Sequence, residues 1–358
     1  MLIFRYLAKE IFITLVSLTG ILLLIFMSNQ FVRYLSRAAS GQIPGMVILK
    51  LMMLELPNLL GLLLPLGFYV AILIAYGRMY AESEMTVLHA CGYGQSRLLK
   101  QTMTMASLVF LLVLSVMLFL SPYINQERTK LLKSTGIQTL IQTIMPGRFQ
   151  AFHGGKEVFY VESISRDHDE ANHIFLAKQS KSNPGSWDIM WAKDAHAQTD
   201  VENGEEYVIL NEGKEYEGKP GRADYRVVHF GQYRARLPHP TVNLQQDIRT
   251  EPTANLLPYN NPNLNKAAEL QWRLSVPLMV LILTLIAIPL SQVNPRSGKF
   301  ARLMPAILIY VVYANFMFIA RDWLKAGKVP VWVGMNWLHV VFLILAGLLL
   351  WQSKVKRL

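Results

Sequence analysis

The sequence predicts a membrane α-helical bundle of six transmembrane helices, arranged three plus three around an inserted all-β domain. Six stretches are apolar and long enough to cross a hydrocarbon core, which takes about 20 residues of helix. They are Ile11–Phe31, Met46–Tyr76, Leu98–Ser121, Leu274–Gln292, Leu303–Ala320 and Val331–Trp351. Helix is demanded there because a backbone away from water must satisfy its own N–H and C=O groups. Residues 123–270, between the third and fourth stretches, hold no such run and carry a charge balance of −2. The remainder carries +13 of the chain's net +11, so the positive charge belongs to the membrane half.

The first apolar run exceeds the 7 to 15 residues of a signal-peptide core. The small residues Ala38, Ala39 and Ser40 sit behind Arg33 and Arg37, so the segment is expected to stay as a membrane span. The second span holds Pro57 and Pro65 and one carboxylate, Glu55, placed near an end and expected to be interfacial or paired with an arginine. The third is expected to continue outward as a polar helix over Asn125–Ile144. After the β insert, Pro252, Pro258 and Pro262 mark an extended hinge over Thr250–Asn265. Pro277, Pro289 and Pro305 in the later spans are expected to permit kinks.

Five runs rich in Val, Ile, Phe, Tyr and Trp read as strands: Lys156–Ile164, His173–Gln179, Trp187–Ala197, Glu206–Leu210 and Tyr225–Leu237. Turn chemistry separates them at His153-Gly154-Gly155, Asn183-Pro184-Gly185, Glu202-Asn203-Gly204, Asn211-Glu212-Gly213 and Lys219-Pro220-Gly221. The spacing is that of a sandwich or barrel. Its near-neutral charge and lack of an aromatic-basic stripe argue against nucleic-acid binding.

Lys and Arg near the helix ends set the orientation. One side holds Arg5, Lys9, Arg78, Arg97, Lys100, Arg296, Lys299, Arg302, Lys354, Lys356 and Arg357. The other holds Arg33, Arg37, Lys50, Arg273, Arg321, Lys325 and Lys328. The larger set places both termini in the cytoplasm and the β domain outside.

Composition agrees, with 52% apolar residues and a mean hydropathy of +0.28 against the 45–50% apolar content usual in soluble domains. The single cysteine, Cys91, excludes an intramolecular disulfide and is read as a small buried thiol. No phosphate-binding G-x-x-x-x-G-K-[ST] loop occurs, and the nearest stretch, Arg296 to Phe300, ends in Phe where a hydroxyl is needed. No H-E-x-x-H or G-x-S-x-G pattern is present. Of the eight histidines only His89, and His168 with His173, merit inspection, and no metal site is expected. No catalytic residue is assigned, and an enzyme is the weakest reading.

Two features rise above this background. Between the second and third spans, glycines bound a run of helix formers, Gly77 to Gly94, with Ala81, Met85 and Leu88 at helical spacing on one face. Glu82 and Glu84 place acid near its start, where a helix dipole favours it. Such a helix could seat apolar knobs and a carboxylate on a soluble partner, or it could be an interfacial linker with solvated glutamates. The second feature is basic: Arg33, Arg37, Arg273, Arg321, Lys325 and Lys328 fall at the outer helix ends. If those helices are neighbours they form a cationic mouth suited to phosphate oxygens; if not, the residues snorkel to headgroups.

Arg5-Tyr6-Leu7, Tyr80-Ala81-Glu82-Ser83-Glu84 running on to His89-Ala90-Cys91-Gly92, and Pro289-Leu290-Ser291 followed by Asn294-Pro295-Arg296 and Gly298 resemble the LptF/LptG permeases of the lipopolysaccharide exporter. The resemblance spans the whole chain and implies spans one to three over 1–122, a periplasmic segment over 123–270 and spans four to six over 271–358. It implies a β-jellyroll-like domain at about residues 145–250 and a coupling helix at about 79–91. Partners implied are an LptG-like permease subunit in a heterodimer, two copies of an LptB-like cytoplasmic ATPase, an LptC-like single-span protein and lipopolysaccharide. The setting is the bacterial inner membrane, with ATP and Mg²⁺ held by the ATPase and no cofactor on this chain. On this resemblance Glu82, Glu84, Met85 and Leu88 face the ATPase. Arg33, Arg37, Arg273, Arg321, Lys325 and Lys328 form the lipid-binding cavity mouth. Gln30 departs from the family, standing where enterobacterial relatives place a lysine. Two further classes stay open from the residues alone: a mechanotransmitting protein that moves no lipid, and a periplasmic assembly scaffold.

Overall fold

The computed structural model describes residues 2–39, 43, 45–134, 146–152, 157–165, 170–180, 185–199, 206–222, 224–236, 248–293 and 303–355. The helices are α1 (Leu2–Ala39), α2 (Ile48–Ala81), α3 (Glu84–Ala90), α4 (Gln95–Ser115), α5 (Ser121–Ser134), α6 (Leu264–Leu290), α7 (Leu303–Lys325) and α8 (Asn336–Val355). A π-helical turn, Val116–Leu120, joins α4 to α5. The strands are β1 (Gln150–Phe152), β2 (Glu157–Ile164), β3 (Glu170–Gln179), β4 (Trp187–Thr199), β5 (Glu206–Gly218) and β6 (Arg226–Arg236). Six helices are long and apolar enough to span a membrane, three on either side of the strands in sequence. The polar helix expected after the third span is present as far as Ser134; its remainder to Ile144 lies outside the described residues. So do His153-Gly154-Gly155, Asn183-Pro184, Glu202-Asn203-Gly204, His168 and residues 294–302, with Arg296, Lys299 and Arg302.

The chain divides into two compact units. The first draws on Met1–Gln30, Leu51–Thr129 and Gln245–Leu358, and the second on Phe31–Lys50 and Lys130–Leu244.

In the first unit α2 and α6 are the central helices, 67% and 72% buried over their most apolar windows, against 17% for α1 and 22% for α7. Helix α6 packs on α4, α7 and α8. Leu7, Ile11 and Leu15, four residues apart on α1, turn one face inward, while Val16 and Leu24 lie outward. A helix apolar all round is stable only where the outward face meets lipid or another helix. Several polar groups within the bundle find partners. Tyr76 meets Thr102 at 2.7 Å, Tyr69 donates to the Ala306 carbonyl at 3.1 Å, and Tyr313 meets His339 at 2.6 Å. Glu55 pairs with Arg128 at 3.1 Å, one of the two roles expected of it. Pro57 and Pro65 lie inside α2, and Pro277 and Pro289 inside α6. Pro305 lies at the start of the described part of α7.

In the second unit the six strands form one antiparallel sheet in sequence order, β1-β2-β3-β4-β5-β6. The all-β expectation holds, with β1 added to the predicted runs. A sandwich implies two facing sheets, whereas the described strands make a single meander. Its core is Val161, Ile174, Met190, Ala192, Ala195 and Leu210, with Phe159, Ile164, Ala171, Leu176, Val208, Phe230 and Tyr233 against it.

The inward residues do not keep strict alternation. Val161 is followed by Ile164, Ala171 by Ile174, Ala192 by Ala195, and Phe230 by Tyr233, a spacing of three at the same level of each strand. Between them two polar rows cross the sheet. One is Ser163, Asn172, Asp194, Asn211 and Gln232, linked by Asn172 to Ser163 at 3.4 Å, Asn211 to Asp194 at 2.6 Å and Gln232 to Asn211 at 3.5 Å. The other contains the contact of Glu162 with His173 at 2.9 Å and the ion pair Lys193–Glu212 at 3.1 Å. His173 and Glu212 take left-handed backbone, φ 49 and 47. The sheet is creased along this seam, and the crease carries the inward face across it.

The seam corrects one reading. Asn211-Glu212-Gly213 is not a chain reversal; β5 runs straight through it to Gly218. Gly213 is needed because an added Cβ would collide with the Phe230 ring and the Trp191 carbonyl. The turn at Lys219-Pro220-Gly221 does form, closed by Arg222 N–H donating to the Lys219 carbonyl at 3.2 Å. Gly213→Ala should cost about 1–3 kcal/mol through overpacking, read as faster proteolysis of the sheet in the intact, detergent-held protein. Unchanged cleavage would mean that Phe230 swings aside without cost.

Candidate functional site

The loop between the second and third spans folds as α3. Helix α2 ends at Ala81, where Glu82 and Ser83 make a turn with Ser83 in left-handed backbone, φ 62. The other end closes with paired bonds: Gly92 N–H to the His89 carbonyl at 3.0 Å and Tyr93 N–H to the Leu88 carbonyl at 3.0 Å. This is a Schellman cap, which needs a residue at positive φ, here Gly92 at φ 81. His89 Nδ1 lies 2.7 Å from the Tyr93 carbonyl, with Nε2 3.4 Å from the Tyr80 hydroxyl, so its role is to brace the turn. Burial pushes the Tyr93 phenol above its ordinary value, opposed by the Arg97 guanidinium. Among the described residues no group of three His, Cys, Asp or Glu could hold a metal.

The expected face of α3 is present but points elsewhere. Met85 is fully buried in the bundle core and Leu88 packs partly against it. Val87 is 60% exposed and takes the place of Met85 as the outward apolar knob. Glu84 accepts from the Tyr6 hydroxyl on α1 at 2.8 Å. Glu82 lies 3.5 Å from Arg78, which also binds Glu10 on α1 at 2.7 Å. Cys91 is exposed at the helix end, so it is not the buried thiol expected.

The basic residues separate into different environments. Arg33 and Arg37 lie one turn apart on the exposed face near the end of α1, in the second unit. The other four belong to the first unit. Arg273 on α6 is 1% exposed. Its Nε donates to Glu269 at 3.0 Å, Nη1 to the Glu251 carbonyl at 3.0 Å and the Thr253 hydroxyl at 2.9 Å, and Nη2 to the carbonyls of Ile248 at 3.4 Å and Arg249 at 3.1 Å. These contacts commit the guanidinium to protein acceptors and place it in a clamp on the returning chain, away from a mouth open to ligand. Arg321 donates to the other oxygen of Glu269 at 2.5 Å and stacks 4.7 Å over Trp272. Lys325 lies half-buried 3.9 Å from Asp322, and Lys328 is exposed on the following loop.

Glu269 and Tyr6 were missed by the sequence reading. Glu269 precedes the apolar run that begins at Leu274, yet α6 starts at Leu264, capped by the Asn263 side chain on the amides of Asn265 and Lys266. Asn at that position before a periodic run is an N-terminal signal and could have extended the helix to include it. For Tyr6 only the Arg5-Tyr6-Leu7 motif drew attention.

A family model described as "Lipopolysaccharide export system permease LptF/LptG" matches residues 5–352. The chain is 30% identical over 370 residues to the "Lipopolysaccharide export system permease protein LptF" of Escherichia coli (strain K12), covering 100% of this chain and 97% of that one. The protein of the same description from Shigella flexneri matches with the same identity and coverage.

Arg273→Met should leave the buried Glu269 one cation short and remove four further bonds to the returning chain, a loss of about 3–5 kcal/mol. Thermal unfolding in detergent checks it, with Arg273→Lys expected in between. A variant as stable as the parent would show that the clamp is dispensable.

Proposed function

The chain belongs to the LptF/LptG family of lipopolysaccharide export permeases, and on that premise we propose that it is one half of a heterodimer with an LptG-like subunit. The pair sits on two copies of an LptB-like ATPase that binds ATP and Mg²⁺, and works with an LptC-like single-span protein. It takes lipopolysaccharide from the outer leaflet of the inner membrane and hands it to a periplasmic bridge, with the β domain in the periplasm and both termini in the cytoplasm.

The observation that carries this reading is α3. A linker would yield under load, whereas α3 is pinned through Met85 in the core, capped at Gly92 and joined to α1 by Tyr6–Glu84. A push on its outer face, at Glu84 and Val87, therefore passes into the bundle. Prolines inside α2 and α6 remove helix bonds and allow those helices to bend in response.

For the lipid, the cations that fit phosphate are Arg33 and Arg37 on α1 and, separately, Lys325 and Lys328 at the end of α7. Arg273 and Arg321 act one step back, holding α6 to α7, whose end presents Lys325 and Lys328. Gln30, one turn before Arg33, offers an amide where a lysine would offer charge, so Arg33 carries more of the phosphate contact on that face.

Glu84→Ala should lower ATPase recovery with the purified permease at least tenfold, equal to about 1.4 kcal/mol, with permease folding and pairing intact. Assembly and hydrolysis at the parent level would remove α3 as the docking element. Arg33→Glu should reduce photocrosslinking of lipopolysaccharide to neighbouring positions on α1 severalfold, and parent-level crosslinking would make Arg33 a headgroup anchor.

A further inference from the structure

Helix α1 has 38 residues, about 57 Å at 1.5 Å per residue, against a hydrocarbon core of about 30 Å. It therefore reaches well beyond the bilayer. The Tyr6–Glu84 bond, 2.8 Å long, sets the first two turns of α1 level with α3, in the connection between the second and third spans. A second tie lies one turn further along, where Arg78 bridges Glu10 of α1 and Glu82 at 2.7 and 3.5 Å.

Between these two helices lies a groove of about 580 Å³, lined mainly by Leu2, Ile3, Tyr6 and Val87 with Glu82 and Glu84 beside them. Leu2 is 83% exposed there. These apolar side chains stand ahead of the apolar run that begins at Ile11, at the level of the loop helix, beside two carboxylates that are themselves held in place, Glu84 by Tyr6 and Glu82 by Arg78. They suit a protein surface that brings an apolar side chain next to an arginine or lysine.

We propose that the start of α1 forms the second wall of the ATPase docking surface, with Tyr6 as the positioning residue that holds Glu84 at its edge. This rests on the docking of α3 proposed above, and extends the surface to a part of the chain that would otherwise only begin a membrane span. The docked partner then bears on two helices together, and its movement reaches the first span directly as well as through the loop.

A photoreactive side chain placed at position 3, and separately at position 87, in the assembled complex in native membranes tests it. Both are expected to crosslink to the ATPase. Crosslinking from 87 with only lipid adducts, or none, from 3 would overturn the inference and leave α3 docking intact. Absence of ATPase adducts at both positions would overturn the two together. Tyr6→Phe tests the positioning role: ATPase recovery should fall severalfold, and Tyr6→Phe combined with Glu84→Ala should fall no further than Glu84→Ala alone, since both remove one interaction. Multiplying losses would show Tyr6 acting independently of Glu84.

Discussion

A carboxylate among packed helices must be paired, because an unmatched charge there is far more costly than the pair is favourable. Glu269, 6% exposed, meets that demand with Arg273 on one oxygen and Arg321 on the other. Arg273 then needs acceptors for its remaining donors and finds them on residues 248–253, where the chain returns from the β domain. Thr253 passes the connection on, accepting from Arg273 and donating at 2.5 Å to the carbonyl of Leu118, inside the π turn of the third span. One buried charge thus fixes α6, α7, the returning chain and the third span to each other. The Pro-rich stretch that composition suggests is a loose hinge begins as a clamped strap, with Leu256 fully buried and Lys266 on Glu251 at 2.8 Å.

Hydropathy made the six spans legible because bilayer crossing is set by length and apolarity, quantities that a sequence carries openly. It gave no warning where a polar residue extends a helix beyond its apolar run, which is how Glu269 escaped notice and Arg273 was grouped with the outer cations without the clamp that it forms. Number and kind of cation can be counted from sequence, but whether a guanidinium meets phosphate or a backbone carbonyl depends on what packs over it. The same limit applies to α3. Its periodicity located the helix and the face shared by Met85 and Leu88, yet periodicity does not say which side is covered, and Met85 faces the chain's own core.

In the sheet the difficulty was a competition between two local rules. Asn-Glu-Gly is turn chemistry, and β5 uses its left-handed residue at Glu212, but as a crease within a strand. Five strands share that crease because Ser163, Asn172, Asp194, Asn211 and Gln232 fall in register, with bonds joining Ser163 to Asn172 and Asp194 to Asn211 to Gln232. A reversal at Gly213 would have broken Ala192 and Trp191 from their partners on β5. Pairing across the whole sheet outweighs the preference of three residues, a tertiary override that no single run can reveal.

Transmission from a docked partner depends on how stiff the path is. A seven-residue helix joined to the bundle only at its ends would rotate before it pushed. A second connection limits that freedom: Tyr6 of α1 bonds Glu84 of α3 directly, while Arg78 at the end of α2 bonds both Glu10 of α1 and Glu82 of the turn that leads into α3, so the helix and the turn before it are each held. Exposed bonds of this kind add little to stability, so their value lies in geometry. They tie the loop helix to the least buried span of the six, the one whose movement disturbs fewest packed neighbours. On the proposed reading, a displacement delivered at α3 reaches the helix that carries Arg33 and Arg37 along its own axis, without first having to repack the core around α2 and α6.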